Sequence, residues 1–382
     1  MSPRIPQSSV PAPVLNAAEP ETLLVKTLLA IRNNRLDVAL AEVEKVLEAY
    51  PNFRLAHLIR GDLLLARSQP LRTMGNAAGV AADRIAPLRQ EARARLARSQ
   101  YERPLDRVPR YLVQLQPDQQ YALVVDTSKS TLYVFENRNG AAHYVADYYV
   151  SSGKNGSEKI REGDKKTPLG VYHVTSSMPR EKLADFYGTA AFPLNYPNEW
   201  DKRRRRTGSG IWLHGVPSDT FSRAPQASDG CVVLTNQDLD AIGRHVQVGL
   251  TPVIISKGIE WVPPQSIGSV RQELGGALEQ WRRDWESRSV DRYLAHYSRA
   301  FRSGKQDYRG FVRQKRKAGN SRQAIKVNVD RVSMFLYPGN QRLAVVTFDQ
   351  DYSSGNVQQR MRKRLYWLKE GARWRIVHEG TA

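Results

Sequence analysis

The spacing of apolar residues changes twice along this chain, and each change predicts a different kind of folded region. Leu24, Leu28 and Ile31 recur at helical intervals. From about Gln119 the pattern becomes that of short strands rich in β-branched and aromatic residues. From about Val270 helical spacing returns, before a final run of strands. A chain of 382 residues has room for about two or three domains. The pattern therefore predicts an α+β multidomain protein.

The predicted boundaries follow these changes of pattern. Residues 1–20 contain five prolines and are expected to be a disordered leader. Residues 21–115 are predicted to be helical. A β-rich domain is expected over 116–257, because its strands are short and separated by long polar stretches. A linker over 258–268 and a last domain over 269–382, with helices followed by antiparallel strands, complete the chain.

Two of these regions resemble known families. The helix–turn–helix around Ala39, Ala49 and Pro51 resembles a tetratricopeptide repeat, which implies partner binding. We favour the alternative that these helices form a cap packed on their neighbour. The order of elements in 269–382, with its aromatic stretch Tyr297 to Phe301, resembles the cone-shaped NTF2-like/SnoaL-like fold of the Cds6 type.

The charge of the chain predicts anionic partners. Lys and Arg number 58 against 38 Asp and Glu, a net charge of +20. The last domain holds 24 basic and 11 acidic residues, so +13 of that charge lies there. Nucleic acid, anionic lipid and wall polymers all fit such a charge. No recognised nucleic-acid motif accompanies it, so we expect no nucleic acid. No apolar stretch approaches the ~20 residues of a membrane span, so none is expected.

The residues with most chemical content are His214-Gly215, at the end of an apolar strand, and Ser228-Asp229-Gly230-Cys231. An imidazole beside a thiol favours the nucleophilic thiolate. The amide groups of Gly230 and Cys231 are candidate donors to an oxyanion. A helix predicted from Asn236 would place a helix N-terminus just after the thiol. The alternative is a buried structural cysteine beside a core histidine.

This constellation resembles the L,D-transpeptidase (YkuD-type) family. The family signature is a histidine, then roughly fourteen to seventeen residues, then Ser/Thr-His-Gly-Cys. Thr167-Pro-Leu-Gly170 resembles the family's Thr-Pro-x-Gly turn, and Val150 to Gly153 the strand end before it. Phe192 to Asp201 resembles an insertion of one subgroup. The resemblance covers about Gln119 to Ser256.

The resemblance implies a role for each matching residue. Cys231 is the expected nucleophile, His214 the general base and acid, and Gly215 the residue whose carbonyl orients the imidazole. Ser228 and Gly230 are expected to shape the nucleophile loop. Asp229 stands where the family usually has a second histidine. Because a carboxylate facing a thiol would disfavour the thiolate, we expect Asp229 to face substrate, solvent or a neighbouring donor.

Three further residues are predicted to bind substrate, namely Tyr196, Asn198 and Arg206. Arginine pairs well with carboxylates, which a peptide of the cell wall carries. His143 and His173 alternate with apolar residues in strands, so we interpret them as structural. No His, Asp or Glu cluster has convincing zinc spacing. We therefore expect neither a metal nor a cofactor.

The family resemblance implies an enzyme acting on peptidoglycan stem tetrapeptides. Cys231 would release D-alanine and form a thioester, which the amine of another stem resolves into a 3-3 crosslink. Resolution by water, as an L,D-carboxypeptidase, and attachment or release of a lipoprotein are the alternatives. Outside this class, the chain would be a non-catalytic module that binds wall or polyanion. The basic last domain is also a candidate to bind a glycan or a protein. The location implied is periplasmic, with an export signal absent from this chain; a cytosolic protein is the other possibility.

Overall fold

The computed structural model describes residues 20–70, 73–75, 81–102, 104, 106–304, 306–318, 324–339 and 342–382. Residues 1–19 of the predicted leader therefore lie outside the described residues. The chain divides into two units. The first, which we call the helical unit, holds the described residues up to Tyr101 together with Asp219–Ala224. The second, the main unit, holds Glu102–Ser218 and Pro225–Ala382.

The helical unit is built from amphipathic helices around one apolar core. The helices are α1 (Pro20–Arg32), α2 (Leu36–Ala49), α3 (Arg54–Leu65) and α4 (Ala82–Gln100). Leu24, Val43 and Ile59, from three different helices, are each at most 1% exposed. Phe221 belongs to the same core although it is remote in sequence. The tetratricopeptide interpretation of these helices stays a prediction.

The helical region ends before the predicted boundary. α4 ends at Gln100, and two short strands, β1 (Val108–Pro109) and β2 (Leu112–Gln114), follow within the segment predicted as helical. Pro104 and Pro109 have no backbone N–H to continue a helical ladder. β2 also pairs with a strand near Phe335, a long-range contact that local spacing does not reveal.

A five-stranded sheet forms the centre of the main unit. Its strands are β3 (Tyr121–Asp126), β4 (Thr131–Arg138), β5 (Ala141–Tyr149), β7 (Gly170–His173) and β13 (Pro252–Ser256). Their order is β5-β4-β3-β13-β7. β3 and β13 pair in parallel, while their other pairings are antiparallel. All five strands lie within 116–257, where the sequence pattern predicts a β-rich domain.

Both faces of this sheet are buried. Along β3, Leu123 and Val125 point into one core, while Ala122 and Val124 point into another. β13 alternates in the same way, with Ile254 on the second side. Burial on both faces accounts for the nearly continuous apolar runs of these strands, which lack the polar alternation of a half-exposed strand.

A smaller sheet covers the first of these cores and carries the cysteine segment. It contains β8 (Met178–Pro179), β9 (Ala190–Pro193), β10 (Trp212–His214) and β12 (Val232–Val233), in the order β12-β10-β9-β8. β6 (Ser152–Gly153) pairs in parallel with β11 (Gln226–Ser228). The helices of this region are α5 (Glu199–Arg203) and α6 (Asn236–Gly243).

The C-terminal part packs helices onto a second five-stranded sheet. Its elements are β14 (Trp261–Val262), α7 (Pro264–Glu286), α8 (Val290–Leu294), β15 (Arg302–Ser303), β16 (Gln306–Asp307), α9 (Tyr308–Ala318), β17 (Ile325–Leu336), β18 (Leu343–Ser354), β19 (Val357–Glu370) and β20 (Arg373–Thr381). The sheet order is β2-β17-β18-β19-β20, all antiparallel. Trp281, Phe348 and Trp367 are fully buried between helices and sheet.

The two sheets of the main unit share a core. Val124 and Ile254 of the central sheet lie in one apolar cluster with Phe335 and Tyr366 of the C-terminal sheet. The predicted linker 258–268 is not extended chain throughout, because β14 and the start of α7 lie within it. Helix α9 was not predicted. In the part of the chain that the structure describes, no helix is both long and apolar enough to cross a membrane.

Candidate active site

His214 ends β10, and Cys231 directly precedes β12, the strand next to β10 in the smaller sheet. β10 and β12 pair in parallel, with Leu213 opposite Val232 and His214 opposite Val233. Leu213 and Val232 both project into the apolar core. Because side chains alternate between the two faces of an extended chain, we expect His214, and Cys231 directly before β12, to project from the opposite face. The fold therefore places the two residues on adjacent segments of one sheet.

The imidazole of His214 is buried and held in one orientation. Its Nδ1–H donates to the carbonyl oxygen of Gly215 at 2.7 Å. Because a carbonyl oxygen can only accept, this contact puts the ring proton on Nδ1 and makes Nε2 the acceptor. Tyr187 packs edge-on against the ring, with centroids 5.2 Å apart, and Phe186 lies at 6.0 Å. The histidine is thus in the tautomer that a general base uses.

Asn236, the first residue of α6, holds the backbone that carries this carbonyl. Its Oδ1 accepts from the N–H of Val216 at 3.1 Å and of Thr189 at 3.3 Å, and its Nδ2 donates to the carbonyl of Val216 at 3.0 Å. A Cβ on Gly215 would collide with Oδ1 of Asn236, so the close approach requires glycine. Asn236 is not among the residues predicted for the site. The available signal is a polar side chain at the start of the helix predicted after the cysteine.

The nucleophile loop is closed by Ser228. Its hydroxyl donates to the carbonyl of Cys231 at 2.6 Å and accepts from the N–H of Gly230 at 3.1 Å. Gly230 has a φ of +130°, and a Cβ there would lie 2.8 Å from the carbonyl oxygen of Lys166. Because the Gly230 amide already donates to Ser228, this geometry does not support the expected oxyanion donor at Gly230. An oxyanion contact from the Cys231 amide stays a prediction.

The thiol of Cys231 is half-buried and donates to the carbonyl of Gly210 at 3.4 Å. The helix predicted from Asn236 is confirmed, since α6 spans Asn236–Gly243, with β12 between it and Cys231. Thr235 caps that helix by accepting from the N–H of Asp238 at 3.1 Å. The strand intervenes because Val232 and Val233 pair with β10.

Two segments of the main unit match known family models. Residues 120–255 match the YkuD L,D-transpeptidase catalytic domain. Residues 273–380 match the Cds6 C-terminal NTF2-like domain. The chain carries a YkuD L,D-transpeptidase domain followed by a Cds6-type NTF2-like domain. His214 and Cys231 both lie within the YkuD domain, and domains of this family act on peptidoglycan peptides.

Solved structures similar to this chain span most of its length. Bd1075 from Bdellovibrio bacteriovorus is 29% identical, with a TM-score of 0.63, over 72% of this chain and 98% of that chain. The helical cell shape determining protein Pgp2 from Campylobacter jejuni is 25% identical, with a TM-score of 0.62, over 71% of this chain and 95% of that chain. A search of curated proteins gave no match. Residues 20–101 of the helical unit lie outside both family models.

Asp229 of the YkuD domain has a cationic partner. Its carboxylate forms an ion pair with Lys154 at 2.8 Å, and this hydrogen bond raises the pKa of the Lys154 ammonium group. The Asp229 side chain is 73% exposed. The carboxylate beside the nucleophile thus faces a neighbouring donor, which agrees with the expectation from the sequence.

A polar loop next to the nucleophile is organised by one carboxylate, Asp164. It accepts from the N–H groups of Ile160 at 2.8 Å, Arg161 at 3.1 Å and Lys166 at 3.2 Å, and from Nζ of Lys159 at 2.8 Å. Burial alone would raise the pKa of Asp164, but the Lys159 and backbone hydrogen bonds lower it to about 2. The carbonyl of Lys166, at the end of this loop, lies 2.8 Å from where a Cβ on Gly230 would be. The loop therefore packs closely against the residue before Cys231.

The three predicted substrate-binding residues are engaged within the protein. The Tyr196 hydroxyl donates to the carbonyl of Thr207 at 3.1 Å. Asn198 is 3% exposed, caps α5 and donates to Val171 at 3.0 Å. Arg206 forms an ion pair with buried Asp201 at 3.1 Å. These contacts hold the segment around α5 in place, and a role in substrate binding stays a prediction.

Metal chemistry has no candidate site among the residues that the structure describes. Their His, Cys, Asp and Glu side chains form no cluster of three or more that could hold an ion. The adjacent segments of the smaller sheet instead carry an imidazole and a thiol, the residue types that nucleophilic acyl transfer uses.

Proposed function

We propose that this protein cleaves the L,D peptide bond of a peptidoglycan stem tetrapeptide through a thioester on Cys231. The observation that carries the proposal is the position of His214 and Cys231 on adjacent segments of the smaller sheet, with Nδ1 of the histidine bound by the Gly215 carbonyl. That arrangement leaves Nε2 as the acceptor for the thiol proton. The match to the YkuD domain supplies the substrate class.

The first half of the proposed reaction acylates Cys231. Nε2 of His214 takes the thiol proton, and the thiolate forms a bond to the carbonyl carbon between the diaminoacyl residue and D-alanine. The carbonyl electrons move to oxygen and return as the carbon–nitrogen bond breaks. The imidazolium gives its proton to the departing amine of D-alanine. A thioester on Cys231 and neutral His214 remain.

Attack by the amine of a second stem peptide then breaks the carbon–sulfur bond and forms a 3-3 crosslink. This outcome is the one that the family description, L,D-transpeptidase, supports. Attack by water instead leaves a tripeptide. The similarity to Pgp2, a helical cell shape determining protein, keeps this L,D-carboxypeptidase activity as the second candidate. In either case the protein acts in the periplasm and contributes to cell shape.

The test incubates the full-length protein with purified muropeptides and follows products by mass spectrometry. Release of D-alanine is expected from the wild type and not from Cys231→Ala or His214→Ala. His143→Ala is the matched histidine control, because His143 is exposed on β5, and it should keep wild-type turnover. Crosslinked dimers identify the transpeptidase and tripeptides the carboxypeptidase. D-alanine release by the Cys231→Ala variant, or none from the wild type, refutes the proposal.

A further inference from the structure

The backbone that joins His214 to Cys231 is shared between the two units. After Ser218 the chain leaves the main unit, and Asp219–Ala224 belongs to the helical unit. The main unit resumes at Pro225, whose carbonyl accepts from the N–H of Ser152 at 2.8 Å. Only three residues separate His214 from Ser218, and five separate Pro225 from Cys231. The helical unit therefore holds the middle of the segment that links the proposed base to the proposed nucleophile.

One aromatic side chain anchors this segment in the helical core. Phe221 is 8% exposed, and its ring centroid lies 4.3 Å from that of Phe53 and 4.8 Å from that of Tyr50. Phe53 and Tyr50 flank the break between α2 and α3. The guanidinium carbon of Arg95 lies over the Phe53 ring, 5.5 Å from its centroid. Ala224, at the end of the segment, is also 8% exposed. Burial of a large ring at this depth is typical of a core residue and not of a loop tip.

A hydrogen bond from the residue after Phe221 also holds this segment. The hydroxyl of Ser222 donates to the carboxylate of Glu91 at 2.6 Å. Glu91 is 2% exposed and paired with Arg95 at 3.0 Å, and Arg95 in turn binds Glu21 of α1. The segment is thus joined to a network that connects α1 with α4. Nonpolar packing holds Phe221, and the network sets the orientation of the residue after it.

We propose that the helical unit positions the loop between base and nucleophile, with Phe221 as the positioning residue. The inference rests on the proposed function for its effect on turnover. Loss of the anchor allows the segment to move, and the geometry of the imidazole and thiol is lost with it, because small displacements of reacting groups are costly to rate. Residues 20–101 lie outside both family models, so neither match supplies this role.

The experiment uses full-length variants and two readouts. The first is kcat and KM for release of D-alanine. The second is the rate of alkylation by iodoacetamide across pH, which reports Cys231 alone because the chain has one cysteine. Phe221→Ala is expected to lower kcat at least tenfold with KM changed less than twofold, and to lower the alkylation rate at neutral pH at least threefold. Phe221→Leu, which keeps an apolar anchor, is expected to recover most of both.

Two further variants separate positioning from general loss of stability. Phe53→Ala acts from the helical side, and in the double variant with Phe221→Ala it should add no further loss, because the two rings act as one contact. Leu24→Ala, buried in α1, destabilises the same core while leaving the Phe221 ring and its partners Phe53 and Tyr50 in place, and it should leave kcat unchanged where the protein is folded. Equal losses from Leu24→Ala and Phe221→Ala, or unchanged kcat and alkylation in Phe221→Ala, overturn the inference. If the wild type releases no D-alanine while alkylation still depends on Phe221, the proposed function fails and the positioning role stands.

Discussion

Replacing Asn236 with alanine is expected to lower catalysis far more than stability. The side chain makes the three hydrogen bonds to Val216 and Thr189 described above. Each neutral hydrogen bond contributes about 0.5–1.5 kcal/mol net. Asn236 is only half-buried, so water replaces part of what is lost. We therefore expect the free energy of unfolding to fall by about 2 kcal/mol.

The expected loss of turnover comes from the residue next to Val216. Gly215 supplies the carbonyl that holds the His214 ring at 2.7 Å, and Asn236 accepts from the N–H of Val216, which belongs to the same peptide group. A displacement of about 1 Å in a catalytic group can cost about a hundredfold in rate. We expect kcat to fall about 10- to 100-fold, since the ring is less well oriented toward the thiol.

Thr235→Ala is the matched control. Thr235 caps the same helix one residue earlier, and loss of such a cap costs about 1 kcal/mol, with a range of about 0.5–2. The two variants therefore have comparable stability losses, but only Asn236→Ala disturbs the His214 segment. Chemical denaturation measures the first quantity and D-alanine release the second. If both variants lose turnover in proportion to stability, or if Asn236→Ala keeps kcat within twofold, the reasoning about Gly215 is refuted.

Three other predictions concern separate parts of the main unit. Gly230→Ala should abolish turnover and lower the free energy of unfolding by about 1–3 kcal/mol, because the residue needs a positive φ and the added Cβ meets the Lys166 carbonyl; a folded, active variant would contradict this. Burial, with Arg364 and Arg362 nearby, lowers the pKa of His173 from 6.5 to about 4. The folded protein should therefore lose up to about 3 kcal/mol of stability as pH falls from 6.5 to 4. Chemical denaturation of His173→Gln should show a smaller dependence of stability on pH. Retention on purified sacculi should weaken as salt is added, because the C-terminal domain carries a net +13; salt-independent retention would count against electrostatic binding.

The strands, and the position of His214 and Cys231 beside neighbouring strands, were predictable because their signals are local. The apolar run from Tyr121 to Asp126 predicts a strand, and a histidine ending one strand with a cysteine shortly before another predicts a shared edge. The anchor at Phe221 was not predictable in the same way. Its partners, Tyr50 and Phe53, lie far away in the sequence, and a single phenylalanine in a polar loop has no periodicity.

The misplaced boundaries have the same physical origin. The sequence pattern predicts helix up to residue 115, across the proline-containing segment after Gln100. Leu112–Gln114 is instead a strand, because β17 offers an edge to pair with. Asp164 and Asn236 escaped notice because their roles consist of hydrogen bonds to backbone groups. Such bonds depend on the path of the loop and leave no pattern in residue type.

The shared core of the main unit argues against an accessory domain on a tether. β3 and β13 carry apolar side chains on both faces, and one of those faces is covered by Phe335 and Tyr366 of the C-terminal sheet. Trp200 of the YkuD domain stacks on Tyr366 with centroids 5.9 Å apart. β2 pairs with β17 before the chain enters the YkuD domain, so the C-terminal sheet is complete only when both ends of the main unit are in place. The two domains therefore fold as one body, and any polymer held by the basic C-terminal domain is held in a set relation to Cys231.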